Sequence, residues 1–270
     1  MGYPGKIICL TEESVETLYL LGRHDLIAGV SQYVERPIEA KSLPQVSQFI
    51  RSDIEKIVEL KPDLVIGFSD LQKDIARELI GRGLNVLVTN QRSLEEILGQ
   101  ILMLGRLVGE EAKVQALVSS FRQKLAQTKE KAKLLPYHPR VYFEEWDHPR
   151  LSGIGWVSEL IAACGGINIF ADRSGPMARE REVSDQEVVE RKPDIIFGCW
   201  CGKKVKTESF SQRPGYSNMV AIQKDFVWEL PPAIFLQPGP ALFIDGLDQM
   251  FALIQRVALD LNPAAPKIEI

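Results

Sequence analysis

Apolar positions fall in short runs, and most are followed by a stretch with helical spacing. Residues 6–10 read as a buried strand. Thr11 reads as the N-cap of a helix whose first turn carries Glu12 and Glu13, where carboxylates favour the positive end of the helix dipole. Val15, Leu18 and Tyr19 share one face of that helix, and Gly22 supplies a stop. Residues 27–30 form a second short apolar run, whereas 43–49 show no period and read as a loop. Residues 53–60 are helical, with Ile54, Ile57 and Val58 inward, until Lys61-Pro62-Asp63 breaks the pattern. A strand at 64–66, a helix at 71–82, a strand at 85–88 and a helix at 93–107 complete the first half. Strands alternating with helices predict an α/β fold with a mostly parallel sheet.

Residues 110–135 contain neither Gly nor Pro, and Val114, Leu117, Val118, Phe121 and Leu125 form one apolar stripe on an otherwise polar stretch. This pattern predicts a single amphipathic helix, on the order of 35–40 Å long, connecting two α/β segments. The second half repeats the grammar of the first. Strands are expected at 141–144, 195–197 and 226–229, and helices at 156–164, 185–191 and 241–261, the last stopped by Asn262-Pro263. The organisation is therefore a first lobe at 1–109, a connecting helix at 110–135 and a second lobe at 136–270. An internal echo supports two similar lobes. Lys61-Pro62-Asp63-Leu64-Val65-Ile66-Gly67 recurs as Lys192-Pro193-Asp194-Ile195-Ile196-Phe197-Gly198, each copy after a short helix with a carboxylate pair.

Composition narrows the class. At 45% apolar and 25% charged residues, the 270-residue chain is ordinary for a folded protein, which excludes disorder, collagen-like repeats and rods. The net charge of −4 argues against a nucleic-acid partner, which would be held by a basic face. Four cysteines are too few for a disulfide scaffold. No apolar run is long enough for a spanning helix, so no direct membrane insertion is expected. The first ten residues lack the basic and apolar regions of an export signal.

In open parallel sheets ligands bind beyond the carboxyl ends of the strands. The residues expected there are Cys9, Thr11, Glu12 and Glu13, then Tyr33 with Arg36, then Phe68, Ser69 and Asp70, then Asn90 to Arg92. In the second lobe they are Glu144 to His148, and Cys199, Trp200, Cys201, Lys203 and Lys204. Two lobes facing each other would enclose a cleft rich in rings: Tyr33, Phe49, Phe68, Trp146 and Trp200, with Trp156 a further candidate. Such rings suit a flat or bulky apolar ligand with polar fringes, and the plainer alternative is core packing. Arg92, Arg36 and Lys203 are candidates for anionic groups on the ligand, against the alternative of solvated charges. Glu144 and Glu145 form a possible acid/base pair. As strand neighbours they should point to opposite faces, so at most one faces the cleft. Cys199-x-Cys201 offers soft ligands for zinc, copper(I) or an iron–sulfur centre, and the alternative is a pair of inert thiols. His148 is a metal or general-acid candidate, or a solvated loop residue. The chain has no GxGxxG after the first strand, no phosphate-binding GxxxxGK[ST] and no HExxH, which disfavours dinucleotide enzymes, P-loop NTPases and zinc proteases.

Several segments resemble a known family. Val30-Ser31-Gln32-Tyr33, Pro44-Gln45-Val46-Ser47, Glu55-Lys56-Ile57-Val58 before the first Lys-Pro-Asp segment, and Cys164-Gly165-Gly166-Ile167-Asn168-Ile169-Phe170 have counterparts in the substrate-binding proteins of ABC importers for cobalamin, haem and iron–siderophores. The resemblance spans residues 6–261 and is greatest to the cobalamin-binding branch. It implies the class III periplasmic-binding-protein fold: two Rossmann-like lobes, one long interlobe helix, and a cleft that changes little on binding. It implies a non-catalytic monomer, with no required cofactor, that captures cobalamin or another tetrapyrrole or metal chelate for an ABC permease. Tyr33, Phe49 and Phe68 would line the pocket from the first lobe, and Arg92, Glu145, Trp146 and Trp200 complete the expected ligand site. Glu55 matches the glutamate that docks on the permease, and its second-lobe counterpart falls on Gln186, with Glu187 beside it. Residues 143–147 and 198–204 depart from the cobalamin binders and point to a distinct subgroup. The resemblance implies a periplasmic protein, and a chain starting natively at Met1 implies a cytoplasmic one. The competing expectation is an intracellular metal- or cofactor-binding protein, or an enzyme, on the same fold, using Cys199 and Cys201.

Overall fold

A computed structural model describes residues 2–173, 175 and 177–262. The chain divides into two compact units, Met1–Gln91 with Glu95–Phe121 and Gln237–Ala241, and Arg92–Leu94 with Arg122–Leu236 and Leu242–Ile270. The division falls inside the long helix, after Phe121, and two short segments group away from their sequence neighbours.

The first unit contains β1 (Ile7–Cys9), α1 (Glu12–Leu20), β2 (Ile27–Ser31), β3 (Gln45–Ser47), α2 (Ile54–Glu59), β4 (Leu64–Phe68), α3 (Lys73–Gly81) and β5 (Val86–Thr89), then most of α4 (Leu94–Leu107) and the first half of α5 (Glu111–Ala132). Its five strands pair in the order β3-β2-β1-β4-β5, all parallel. Central β1 is buried at every position, which is why it reads as an unbroken apolar run rather than an alternating one. Ile8, Leu10, Val46, Ile57, Val65, Ile75 and Leu79 form one core cluster of this unit. The stretch 43–49, expected to be a loop, contains edge strand β3. Three residues, of which only Val46 is apolar, are too few to show a period. Thr11 stands at the N-cap of α1, but its hydroxyl accepts no backbone N–H. Thr11 Oγ1 donates to Glu13 Oε1 at 2.6 Å instead.

The second unit contains β6 (Arg140–Asp147), β7 (Arg150–Ser152), α6 (Gly155–Ala163), β8 (Ile167–Asn168), α7 (Asp185–Arg191), β9 (Ile195–Gly198), α8 (Val220–Gln223), β10 (Val227–Glu229), α9 (Pro232–Phe235) and α10 (Leu247–Asp260). Its strands run β10-β9-β6-β7. β8 pairs in parallel with the start of β6, and β7 pairs antiparallel with its end. Strand β6 is longer than its apolar run, because Glu145, Trp146 and Asp147 continue it into the hairpin with β7. The single helix expected at 241–261 begins as a π-helical turn, Leu242–Gly246, before α10. Pro263, read as its stop, lies outside the described residues.

The sequence echo is a shared piece of architecture. Lys61 and Lys192 both end their helices with positive φ, 49° and 46°. In each copy the Asp two residues on turns back to the strand beside it. Asp63 Oδ2 accepts from the Gly5 and Lys6 amides at 2.8 Å each, while Asp194 Oδ2 accepts from the Arg140 amide at 2.8 Å and from Tyr137 Oη at 2.9 Å. The motif thus ties the entrance of β4 to that of β1, and the entrance of β9 to that of β6.

Candidate functional site

In the first sheet the strand order reverses between β1 and β4, the switch point where open α/β sheets bind ligands beyond their carboxyl ends. Tyr33 follows β2, Phe49 follows β3 and Phe68 ends β4, so the topology brings all three to that edge. Tyr33 is 50% exposed, Phe49 half-buried and Phe68 6% exposed. Phe49 is the most constrained. Ile50 N donates to Gln48 O at 2.9 Å around Phe49, whose φ is 64°. This is the rare, strained form of γ-turn, and a bulky residue persists there only when its surroundings hold it. The holder is Gln72, which is fully buried. Its Nε2 donates to Phe49 O at 2.7 Å and its Oε1 accepts from Phe68 N at 2.9 Å, locking two ring-bearing segments together. Beside the turn lies a hollow of ≈ 330 Å³ lined by Gln32, Gln48, Arg51 and Asp53, among others.

Behind this edge, after β1, Glu13 is buried and Glu12 half-buried. Burial pushes Glu13 up to about 8, against the opposing hydrogen bond from Thr11 and with a further upward push from the Glu12 charge. Glu13 Oε2 is buried without a hydrogen-bond partner, which costs a carboxylate more than a neutral carboxyl. Burial also raises Glu12, against hydrogen bonds from Ser31 and Gln237. Cys9 is buried and its thiol is raised to about 12.

The second unit builds its carboxyl edge from charges. Glu144 is fully buried and receives Arg213 through two bonds, at 2.5 and 2.8 Å, with Tyr142 Oη donating at 2.9 Å. Glu145 accepts from nearly buried Arg181, at 2.5 and 3.0 Å, and from Ile154 N at 3.1 Å. The register shifts between Glu144 and Trp146 where β6 meets β7, so simple alternation fails there. Both carboxylates are committed to arginines, and as placed they form no acid/base pair.

Trp146 is half-buried, and its Nε1 donates to His148 O at 2.9 Å. Trp200 is only 5% exposed, set in a core cluster with Tyr142, Phe170, Phe210 and Tyr216. Lys203 Nζ lies 4.4 Å from the Trp146 ring centroid and 4.9 Å from that of Trp200, and it pairs with Asp147. Arg92 is half-buried and belongs to the second unit, although it follows β5. Cys199 is buried, its thiol pushed far up by that burial, while Cys201 is exposed. Among the described residues no group of three or more His, Cys, Asp or Glu is placed to hold a metal ion. The organising roles of Gln72 and Arg213 had no sequence signal, since both act through partners distant along the chain.

The two docking candidates differ. Glu55 is exposed on α2 and paired bidentately with Arg82, which lines an open groove of ≈ 810 Å³ together with Arg51, Asp74, Arg77 and Glu78, among others. The Arg82 hydrogen bonds hold its carboxyl below the usual range. Glu187 is already engaged on α7. It accepts from Ser184 N at 2.9 Å in a capping box and pairs with Arg173. Gln186 is exposed and donates to Glu190 at 2.8 Å.

Two α/β units, each built on a sheet with parallel strands, are the frame in which these residues sit. The chain belongs to the periplasmic binding protein family, whose family model matches residues 7–234. It is 28% identical over 256 residues to an uncharacterized ABC transporter substrate-binding lipoprotein of Bacillus subtilis, covering 92% of this chain and 79% of that one. It is also 28% identical over 250 residues to the vitamin B12-binding protein of Vibrio cholerae, covering 91% and 87%. Among solved structures, the periplasmic vitamin B12 binding protein of Vibrio cholerae superposes with a TM-score of 0.78 at 26% identity, over 95% of this chain and 98% of that one. The periplasmic haem-binding protein of Roseiflexus shares the fold, with a TM-score of 0.81 at 21% identity, over 94% and 98%. No helix among the described residues is long and apolar enough to cross a membrane.

Proposed function

We propose that this chain is a non-catalytic capture protein for a corrinoid or a related tetrapyrrole or metal chelate, which it delivers to an ABC importer. The observation that carries the reading is the strained Phe49 turn, clamped by buried Gln72 beside Phe68 and near half-exposed Tyr33. Strain held by a buried polar clamp at a sheet's carboxyl edge is the mark of a preformed binding surface. Ring faces supply apolar contact worth roughly 25 cal/mol per Å² buried, and polar fringes set orientation. From the second unit, half-buried Trp146 at the end of β6 is the ring offered to the ligand, with Arg92 and Lys203 as polar companions. Trp200 supports it from the core, and Glu145 holds its backbone through Arg181 and Ile154. Glu55 is the better placed of the two docking carboxylates, because Glu187 serves its own helix. The kinship with vitamin B12-binding proteins favours a corrinoid.

The test is a titration of the purified protein with cyanocobalamin and with haemin, read in the visible spectrum. A saturable change at micromolar concentration with either is expected, weakened at least tenfold by Phe49→Ala. An unchanged spectrum with both would overturn the reading.

A further inference from the structure

Resting on the reading that Trp146 offers its ring to a ligand, we propose that Lys203 filters that ligand by charge, favouring ring compounds with an anionic edge group, carboxylate or phosphate. The Lys203 ammonium already covers the Trp146 face, at 4.4 Å from the centroid, and reaches Trp200 at 4.9 Å. Its position is built rather than incidental. Trp200 is fixed in the core and Trp146 is fixed through His148 O. The turn that carries Lys203 folds back over the end of β9 because Gly198 has no side chain. A Cβ there would stand 2.5 Å from Val205 Cγ1. Val205 N is fastened to Glu229 Oε1 at 2.8 Å, and Gly202 takes φ 76° to turn the chain between them. The Lys203 side chain remains 40% exposed although it is paired with Asp147.

A ring that stacks on Trp146 therefore meets a cation whose three donors are not all spent on Asp147. An anionic edge group accepts a charge-assisted bond from it and gains from the aromatic walls that exclude water. An uncharged ring must either leave the ammonium covered without a new partner or strip it from Asp147 and both rings.

The test uses the full chain and three soluble probes: haemin, with two carboxylates, cyanocobalamin, with one phosphodiester, and dicyanocobinamide, with neither. Lys203→Met should weaken the anionic probe that the wild type binds by about tenfold and tighten dicyanocobinamide, because the ammonium that an uncharged ring must cover or displace is gone. Lys203→Arg should restore most of that loss, and added salt should weaken anionic-probe binding to wild type more than to Lys203→Met. Equal losses for charged and uncharged probes, or no loss with Lys203→Met, would overturn the charge filter while leaving the capture reading standing. A wild type that binds none of the three overturns both.

Discussion

The two units solve the same problem with opposite chemistry. Each carries ring-bearing segments at or near the carboxyl ends of its strands, where few ladder bonds hold the backbone. The first unit fixes them mainly with uncharged groups. Gln72 joins the Phe49 and Phe68 segments, Ser47 Oγ donates to Leu10 O at 2.8 Å, and Glu13 is raised by burial toward its protonated form. The second uses ion pairs, Arg213 with Glu144, Arg181 with Glu145 and Lys203 with Asp147. Uncharged clamps tolerate burial at little desolvation cost, whereas buried ion pairs recover that cost only through their geometry. The first edge should therefore answer to pH through its raised carboxyls, Glu13 foremost, and the second to the loss of one partner of a pair.

The largest effect is expected at Arg213. Removing it as Arg213→Met strands the Glu144 carboxylate with no exposure to water, which should cost about 3–5 kcal/mol in urea unfolding. The double change Arg213→Met, Glu144→Gln should recover more than half, because no buried charge is then left alone. Losses that simply add would show that the pair is not a unit, and the contrast between the lobes would lose its basis.

Glu13 comes next, and its sign is opposite to that of a paired carboxylate. Burial raises its folded pKa from 4.5 to about 8, so the folded chain holds a proton that the unfolded chain has released. Its stabilising effect is complete below about pH 4.5 and is lost as pH rises through about 8. Glu13→Gln, which keeps a neutral side chain, should flatten the stability profile across this window. It should raise stability above pH 8 by on the order of a few kcal/mol. A profile in which wild type and variant run parallel would mean that Glu13 is ionised in the fold.

Much of this was legible in the sequence, and the illegible part has a common cause. The alternation of apolar runs with helical spacing placed β1, β2, β4, β5 and the helices between them, because periodicity records which face is buried. The kinship segments and the repeated Lys-Pro-Asp pointed to the family and its two units. Strand β3 is not legible because three residues carry no period, and β6 runs past its apolar run because a hairpin partner, not a hydrophobic face, extends it. Tyr33, Phe49 and Phe68 could be placed at one edge by counting strands. That Phe49 sits in a strained turn, that Glu145 answers to Arg181, and that Trp200 is a core ring rather than an exposed one depend on partners tens of residues away. Local pattern does not encode those meetings.

The repeat allows the finest comparison, since one motif sits in two settings. Asp63 is exposed and accepts from two backbone amides, while Asp194 is buried and accepts from one amide and the Tyr137 hydroxyl. Replacing either by Ala removes a charge-assisted clamp between a strand entrance and its neighbour. At Asp63 water can satisfy the freed amides, so the loss should stay near about 1 kcal/mol. At Asp194 the Arg140 amide and Tyr137 Oη are part-buried, and the unmade bonds should raise the loss to about 2–3 kcal/mol. The Tyr137 hydroxyl gives an independent readout, because burial and the Asp194 hydrogen bond together raise it to about 12. In Asp194→Ala it should ionise at lower pH, visible as tyrosinate absorbance, and Asp63→Ala should leave it unmoved. Equal destabilisation by the two changes, with the Tyr137 titration unshifted in both, would mean that the two settings do not differ in energy and that Asp194 does not act on the Tyr137 hydroxyl.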